Sequence, residues 1–180
     1  MTAKESRDAE LEHLLSKAYA ILSDPSKGLP DPVFHFILKT TAVANVDLLV
    51  ADENGRKMLT WREDEYGQGW HIPGGIVRWG ETLENRIAEV ARLELGATVT
   101  APEQPGMIAQ FQSARGTFIS LLYHCSFASP VDESVVHFSR QAERGRHGDL
   151  HWFSTCPKHL YPAHKVYRHL LDAPPTHGAA

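Results

Sequence analysis

Three things are scarce in this sequence of 180 residues: cysteine, an excess of basic charge, and long apolar runs. Its cysteines are Cys125 and Cys156, too few for a disulfide framework, which favours a reducing compartment. No apolar run is long enough to cross a bilayer, and the charged N-terminus is unlike a signal peptide. We therefore expect a cytoplasmic protein without a membrane partner.

Charge and composition also restrict the binding partners. The formal net charge is -4 with neutral histidines, whereas nucleic-acid binding usually requires a basic surface. Hydrophobic residues make up 42% and charged residues 22%, which is typical of a globular domain. We expect no nucleic-acid partner, but a local basic pocket for one phosphorylated ligand remains compatible with this composition.

The N-terminal segment has the apolar spacing of a helix, which we predict over residues 7–23. Its apolar stripe consists of Leu11, Leu14, Leu15, Ala18 and Leu22. Asp24-Pro25 ends this pattern, because the residue before proline disfavours the helical conformation. Residues 1–28 are thus predicted to form a helical extension, whose stripe needs either the flank of the domain or a second subunit.

From Val33 onward the pattern is that of strands with interposed helices. Strands are predicted over residues 33–38, 43–51, 57–61, 97–101, 107–111, 117–127 and 151–153. Helices are predicted over residues 82–95 and 162–171. This order indicates an α/β or α+β domain over residues 33–173, with helices on a mixed sheet, followed by a flexible tail over 174–180.

The most informative pattern lies in residues 73–96. It combines the paired glycines Gly74-Gly75 with Glu81 and with Glu94, near the end of the predicted helix. Glycine allows a backbone to approach a ligand closely, and carboxylates suit a hard cation such as Mg²⁺. An ordinary loop followed by a helix with surface glutamates would have the same spacing.

This segment resembles the Nudix box, G-x5-E-x7-R-E-U-x-E-E-x-G-U, in which U is aliphatic. The residues in register with it are Gly75, Glu81, Glu94 and Gly96. The arginine position holds Glu89, and two carboxylate positions hold Val90 and Leu93. The resemblance implies a Nudix α/β/α sandwich with a mixed sheet, to which the N-terminal helix is added.

Within that superfamily, residues 33–155 are most similar to the GDP-mannose mannosyl hydrolases, which also retain only the last helix carboxylate. The similar segments are Asn54-Gly55, Arg62, and residues 73–77, 81–84, 94–96 and 147–152. The resemblance implies a hydrolase that uses Mg²⁺, or alternatively Mn²⁺, on a nucleoside diphosphate sugar. Water would attack the sugar carbon and release nucleoside diphosphate. Together with the extra helix, the resemblance also favours a homodimer.

The same resemblance assigns roles to individual residues. The Gly74 carbonyl and the Glu94 carboxylate would bind Mg²⁺, with Glu81 as a further metal candidate. His147 would be the catalytic base, although a surface histidine would give the same pattern. Arg62 would neutralise charge on the leaving diphosphate.

Several positions depart from the branch and need their own interpretation. Arg146 replaces a metal-binding glutamine, and it either binds a phosphate oxygen or belongs to a solvated basic loop. Ile76 replaces an arginine, and Arg78, on the same side of an extended segment, is expected to substitute for it in substrate binding. Trp79 is a candidate for stacking on the substrate base or sugar, with packing as the alternative.

Glu89 leaves the reaction itself open, because it either helps to hold the cation or faces water. A second hypothesis is therefore a Nudix diphosphatase that cleaves at phosphorus, with Glu81, Glu89 and Glu94 as its metal ligands. A third hypothesis is a nucleotide-binding protein that has lost catalysis, which the missing carboxylates and Arg146 would explain.

Overall fold

The computed structural model describes residues 2–22 and 24–172. The helices are α1 (Ala3–Ile21), α2 (Asp31–Thr40), α3 (Leu83–Val90) and α4 (Arg168–Leu171). Shorter helical segments are the 3₁₀ turns Pro25–Lys27 and Pro162–Tyr167 and the π-helical turn Ala91–Leu95. The strands are β1 (Ala42–Val50), β2 (Lys57–Asp64), β3 (Gly67–His71), β4 (Gly74–Ile76), β5 (Val99–Thr100), β6 (Met107–Ser113), β7 (Gly116–Phe127) and β8 (Leu150–Phe153).

The strands form two sheets, and the larger one is mixed, as predicted. Its order is β4-β1-β7-β5, and β6 also pairs with β7. Strands β1 and β7 run parallel, whereas the other pairs are antiparallel. The smaller sheet has the antiparallel order β3-β2-β8.

Helical segments cover both faces of the larger sheet. On one face, α3 and the π-helical turn pack onto alternate residues of β1; the contacting residues are Ile87, Val90, Leu95, Val46, Leu48 and Val50. Leu49 faces the opposite side and packs in a cluster with Tyr167 and Leu171 of the C-terminal segments. Coverage of both faces explains why the whole run 46–50 is buried, and it confirms the predicted α/β/α arrangement.

The prediction of a strand over residues 33–38 is wrong. These residues lie in α2, which has Asp31 and Pro32 in its first turn, where a missing N–H costs no helical hydrogen bond. The aromatic and β-branched residues of this segment favour a strand, but their spacing also makes one helical face. Phe34, Ile37 and Leu38 form that face and pack onto the domain, which outweighs local strand propensity.

Two other segments differ from the predictions. The predicted extension over residues 1–28 ends with the 3₁₀ turn Pro25–Lys27, and α2 begins soon afterwards at Asp31. The last helix is 3₁₀ over Pro162–Tyr167 and becomes α-helical only at Arg168. The predicted tail, 174–180, lies outside the described residues.

Helix α1 begins earlier than predicted, because Thr2 and Glu5 form a capping box at its N-terminus. Its apolar residues Leu11, Leu14 and Leu15 are exposed, and none of them belongs to the core clusters of the described chain. Over residues 2–22 and 24–172, no helix has both the length and the apolar character needed to cross a membrane.

Candidate active site

A continuous cleft runs past Arg62, which lines three adjoining pockets. The histidine pocket, about 280 Å³, is lined by His71, Glu94, His137, His147 and Asp149 among others. The aspartate pocket is lined by Asp47, His71, Gly74, Arg115, Tyr161 and His164. The glycine pocket, about 390 Å³, is lined by Leu29, Phe34, Gly74, Arg78, Trp79 and Glu94. The chain segment of the predicted Nudix box therefore borders the cleft together with His147, which is distant in sequence.

Gly74 and Glu94 direct oxygen atoms to the same side of β4. The Leu48 N–H donates to the Pro73 carbonyl at 2.8 Å. Ladder bonds between antiparallel strands alternate, so the next residue, Gly74, directs its N–H and carbonyl away from β1. The Gly74 N–H donates to Glu94 Oε2 at 3.3 Å, which shows that the helix carboxylate lies on that side. The two predicted metal ligands are thus neighbours.

These oxygens fit a cation that shares its coordination shell with a substrate. The described residues contain no cluster of three or more His, Cys, Asp or Glu side chains that could hold a metal by themselves. Mg²⁺ commonly takes only one or two protein ligands and completes its shell with phosphate and water. His71 Nε2 lies 3.4 Å from Glu94 Oε2 and is buried without a hydrogen-bond partner. This unsatisfied nitrogen is a further sign that a cation would fit between His71 and Glu94.

Glu81, the other predicted ligand, is held by an arginine. Arg86 Nη2 donates to Glu81 Oε1 at 2.7 Å, and Arg86 Nε donates to Oε2 at 2.8 Å. The Arg78 N–H adds a hydrogen bond of 2.9 Å to Oε2. The Arg86 hydrogen bonds lower the pKa of the Glu81 carboxyl below its usual value. Glu81 lines none of the three pockets, and its metal role stays a prediction.

Glu89 has an equivalent partner at the surface. Arg92 donates to both of its carboxylate oxygens at 2.9 Å, and the Arg92 side chain is exposed. Of the described carboxylates in α3 and its π-helical turn, Glu94 is the one that lines the cleft.

His147 is exposed at the histidine pocket and receives a hydrogen bond from the backbone. The Glu63 N–H donates to His147 Nδ1 at 3.2 Å, so the neutral ring carries its proton on Nε2. To accept a proton from water, Nδ1 must exchange this donor for the water molecule. Exposure of the ring makes the exchange feasible.

Arg62 is oriented by an aspartate and a tyrosine. Its Nε donates to Asp64 Oδ2 at 2.8 Å, and its guanidinium lies over the Tyr161 ring at 5.5 Å. Tyr161 Oη donates to Asp64 Oδ1 at 2.8 Å, which fixes the carboxylate in turn. This arrangement keeps the guanidinium at the junction of the three pockets, where it can meet an anionic ligand.

Of the remaining predicted residues, Arg78 and Trp79 line the cleft and Arg146 does not. Both border the glycine pocket, and Trp79 is 73% exposed as a residue. Arg146 lies next to His147, with its Nε 3.6 Å from Asp149 Oδ2, but it lines none of the three pockets. The structure therefore groups Arg78 and Trp79 at one end of the cleft and leaves Arg146 outside it.

Asp47 is a cleft residue that the sequence interpretation missed. Its buried carboxylate accepts hydrogen bonds from Tyr167 Oη at 2.7 Å, from Ser120 Oγ and from Asn45 Nδ2 at 2.9 Å. Burial raises the pKa of Asp47 to about 6, although these hydrogen bonds oppose the shift. A single aspartate inside the apolar run of β1 was the available signal, because an unpaired charge is rarely buried there.

His71 and His164 were also missed, and both are buried beside Asp47. The Ile72 N–H donates to His164 Nδ1 at 3.2 Å, and burial holds the pKa of His164 well below its usual value. His164 is therefore a neutral acceptor. The sequence offered only eleven histidines of similar appearance, without a way to identify the buried ones.

Comparisons with solved structures agree on the fold. No family model matches the chain. The low-salt glycan biosynthesis protein Agl8 of Haloferax volcanii is 28% identical over 152 residues, which cover 82% of this chain and 94% of that protein. A MutT Nudix hydrolase from Burkholderia pseudomallei has a TM-score of 0.53 at 18% identity, covering 72% of this chain and 97% of its own.

A UDP-X diphosphatase structure also has a TM-score of 0.53 at 18% identity, covering 92% of this chain and 78% of its own. This high coverage of the present chain extends the likeness beyond the segment around the paired glycines. The mixed sheet, the helix of the box and the neighbouring Gly74 and Glu94 are thus found in a chain that has the fold of the Nudix hydrolases.

Proposed function

We propose that the protein is a metal-dependent Nudix hydrolase of a nucleoside diphosphate sugar, attacking the sugar carbon and releasing nucleoside diphosphate and free sugar. The main supporting observation concerns the carboxylates. Among the described residues of α3 and its π-helical turn, Glu94 is the carboxylate that lines the cleft, whereas Glu81 and Glu89 form ion pairs with arginines. One carboxylate suits a single cation on the diphosphate. Assembling several metals to activate water for attack at phosphorus would need more acidic ligands.

In this reaction a water oxygen forms a bond to the anomeric carbon, and the bond from that carbon to the diphosphate oxygen breaks. The leaving oxygen takes the electron pair, and the proton of the water passes to His147 Nδ1. Arg62 lies where it can balance charge on the departing diphosphate. The Gly74 carbonyl and Glu94 would hold Mg²⁺, which supplies further charge stabilisation to the leaving group when bound.

The pockets suggest how the substrate lies. The glycine pocket offers Leu29, Phe34 and the exposed Trp79 to a planar base, with Arg78 nearby for phosphate. The histidine pocket, which shares Arg62 and Glu94 with the glycine pocket, offers polar groups to the sugar and contains His147. The name of the Agl8 relative, a glycan biosynthesis protein, supports a sugar-linked substrate. The exposed apolar stripe of α1 supports a homodimer as a further part of the proposal.

A product assay in H₂¹⁸O tests the reaction. Incubation with a nucleotide-sugar panel that includes GDP-mannose, with and without Mg²⁺, should yield nucleoside diphosphate and ¹⁸O-labelled sugar only when the metal is present. Recovery of nucleoside monophosphate and sugar phosphate, with ¹⁸O in a phosphate, would contradict attack at carbon.

Cleavage at phosphorus is the second candidate. It is favoured by the hydrogen bond from Glu63 N–H to His147 Nδ1, which occupies the nitrogen that would accept the proton. A third outcome, calorimetric binding of the nucleotide sugar without any product, would support a nucleotide-binding protein without catalysis.

A further inference from the structure

His71 is held in one ring orientation by a backbone carbonyl. It lies at the end of β3, its residue surface is 4% exposed, and its Nδ1 is 2.8 Å from the Thr60 carbonyl oxygen. A carbonyl can only accept a hydrogen bond, so Nδ1 carries a proton. The second nitrogen, Nε2, is buried, has no hydrogen-bond partner and is 3.4 Å from Glu94 Oε2.

The contact between His71 Nε2 and Glu94 Oε2 is stable only if a proton or a cation lies between the two atoms. In the neutral ring with Nδ1–H, Nε2 presents a lone pair, and the carboxylate oxygen presents another. Two buried acceptors that face each other without a proton or cation between them lose hydration without gaining a partner.

A shared divalent cation resolves this contact with the observed spacing. Imidazole nitrogen and carboxylate oxygen both ligate such ions at about 2.0–2.2 Å. Bonds of that length place neighbouring donor atoms about 3.0 Å apart at a right angle and about 3.4 Å apart at a tetrahedral angle. The separation of 3.4 Å between Nε2 and Oε2 falls in this range.

We propose that His71 Nε2 is a ligand of the cation, together with the Gly74 carbonyl and Glu94. The inference rests on the cation site of the proposed function and changes its metal preference. Mg²⁺ strongly favours oxygen ligands, whereas Mn²⁺ and other transition ions bind imidazole readily. The site therefore selects Mn²⁺ over Mg²⁺ more strongly than a site made of oxygens would.

Pulsed electron paramagnetic resonance of the full-length protein loaded with Mn²⁺ tests this ligand directly. A directly bound imidazole gives a ¹⁴N hyperfine coupling, which should be present in the wild-type protein and absent in His71→Gln. Glutamine keeps an N–H donor for the Thr60 carbonyl. The matched control is the double variant His137→Gln/His147→Gln, which removes the other histidines of the histidine pocket and should retain the coupling.

Equilibrium titrations add a second readout. His71→Gln should weaken Mn²⁺ binding by about tenfold or more while changing Mg²⁺ binding less. If His71→Gln does not fold, His164→Gln replaces it, since His164 is the other histidine of the aspartate pocket. Coupling in the wild-type protein, the double variant and His164→Gln supports His71, and its absence in the wild-type protein overturns the inference.

The outcomes also separate this inference from the proposed function. Mn²⁺ that binds without nitrogen coupling overturns the His71 ligand and leaves a cation site of oxygens, with a charged His71–Glu94 pair. Coupling that disappears in the double variant overturns it as well. If neither Mn²⁺ nor Mg²⁺ binds and no nucleotide sugar is turned over, the cation-based function fails too.

Discussion

Arg86 binds both carboxylate oxygens of Glu81 from a position one helical turn before residue 89, where the Nudix box has its arginine. The resulting pair lies beside β4, where Arg86 Nη1 would be 3.3 Å from a Cβ atom built on Gly75. The chain thus keeps an arginine–glutamate pair beside β4 although the box position itself holds Glu89. We infer that this pair fixes the strand that presents Gly74 to Glu94.

The first prediction concerns the stability that this pair provides. The Arg86 and Glu81 side chains are only 6% and 15% exposed, so Arg86→Ala leaves a largely buried carboxylate without its partner. We expect a loss of about 3 kcal/mol in the free energy of unfolding, measured with urea. Arg92→Ala is the matched control: it removes the same two-bond geometry from Glu89 at an exposed site and should cost about 0.5 kcal/mol or less. Equal losses in both variants would refute the structural role.

The second prediction separates the carboxylates of the box helix. Glu94→Gln should weaken Mg²⁺ or Mn²⁺ binding by about 10–100-fold, because the variant loses the charged oxygen beside Gly74. Glu89→Gln should leave the dissociation constant nearly unchanged, since its carboxylate is bound to Arg92. Calorimetric titration measures both, and a larger effect of Glu89→Gln would move the metal site to the outer face of α3.

The third prediction concerns the base. His147→Gln should lower kcat by about 10²–10⁴-fold with a much smaller change in KM, because a general base acts in the transition state. Unaltered turnover would remove His147 from the reaction and leave it as a surface acceptor for the Glu63 N–H.

The fourth prediction is a pH dependence of stability that depends on Asp47. Its folded-state pKa of about 6 lies above the ordinary value of 3.8, so the folded chain keeps this proton where the unfolded chain releases it. Between these two values stability should fall by about 3 kcal/mol as pH rises, and this contribution should stay constant above pH 6. Asp47→Asn should remove the fall. Unfolding free energies of the wild-type protein and Asp47→Asn, measured at pH 4 and pH 7, isolate the contribution of Asp47. The same change with pH in both proteins would contradict the raised pKa of Asp47.

The fifth prediction uses tryptophan fluorescence. Trp79 is exposed at the glycine pocket, whereas Trp61 and Trp70 are buried. A nucleotide sugar should therefore change the emission of Trp79, and Trp79→Phe should lack most of that change. Trp79→Ala should raise KM about tenfold, as expected for a lost stacking contact, while the free energy of unfolding stays within about 0.5 kcal/mol. An unchanged KM would place the base elsewhere.

The sequence was sufficient to predict elements that depend on the residue pattern of a short segment. The helix of residues 82–95 and the β6–β7 hairpin follow from apolar spacing and turn residues, and the structure confirms both elements. The strand prediction for residues 33–38 failed because their aromatic and aliphatic side chains satisfy both strand and helix patterns. Packing of this segment onto the sheet decides in favour of the helix.

The candidate site was predictable only where one segment contains it. Gly74 and Glu94 belong to a single motif, but the contact of His71 with Glu94 depends on how β3 meets the helix end. Among Arg78, Arg86 and Arg92, the partner of Glu81 depends on the loop conformation, which the spacing of the residues does not determine. The hydrogen-bond donors to Asp47 include Ser120 of β7 and Tyr167 of the C-terminal 3₁₀ turn, which are far from it in sequence.

The parallel pairing of β1 with β7 has a consequence for how this protein reaches its native state. β1 and β2 have early partners in β4 and β3, but β7, the parallel partner of β1, comes much later in the chain, and β8, the second partner of β2, comes later still. Long-range pairing of this kind slows folding, since a large loop has to close before its contacts form. A nascent chain that ends at residue 96 would contain Gly74, Glu94 and the strands of the β1–β4 and β2–β3 pairs, yet it would lack β7, which joins β1 to the rest of the larger sheet.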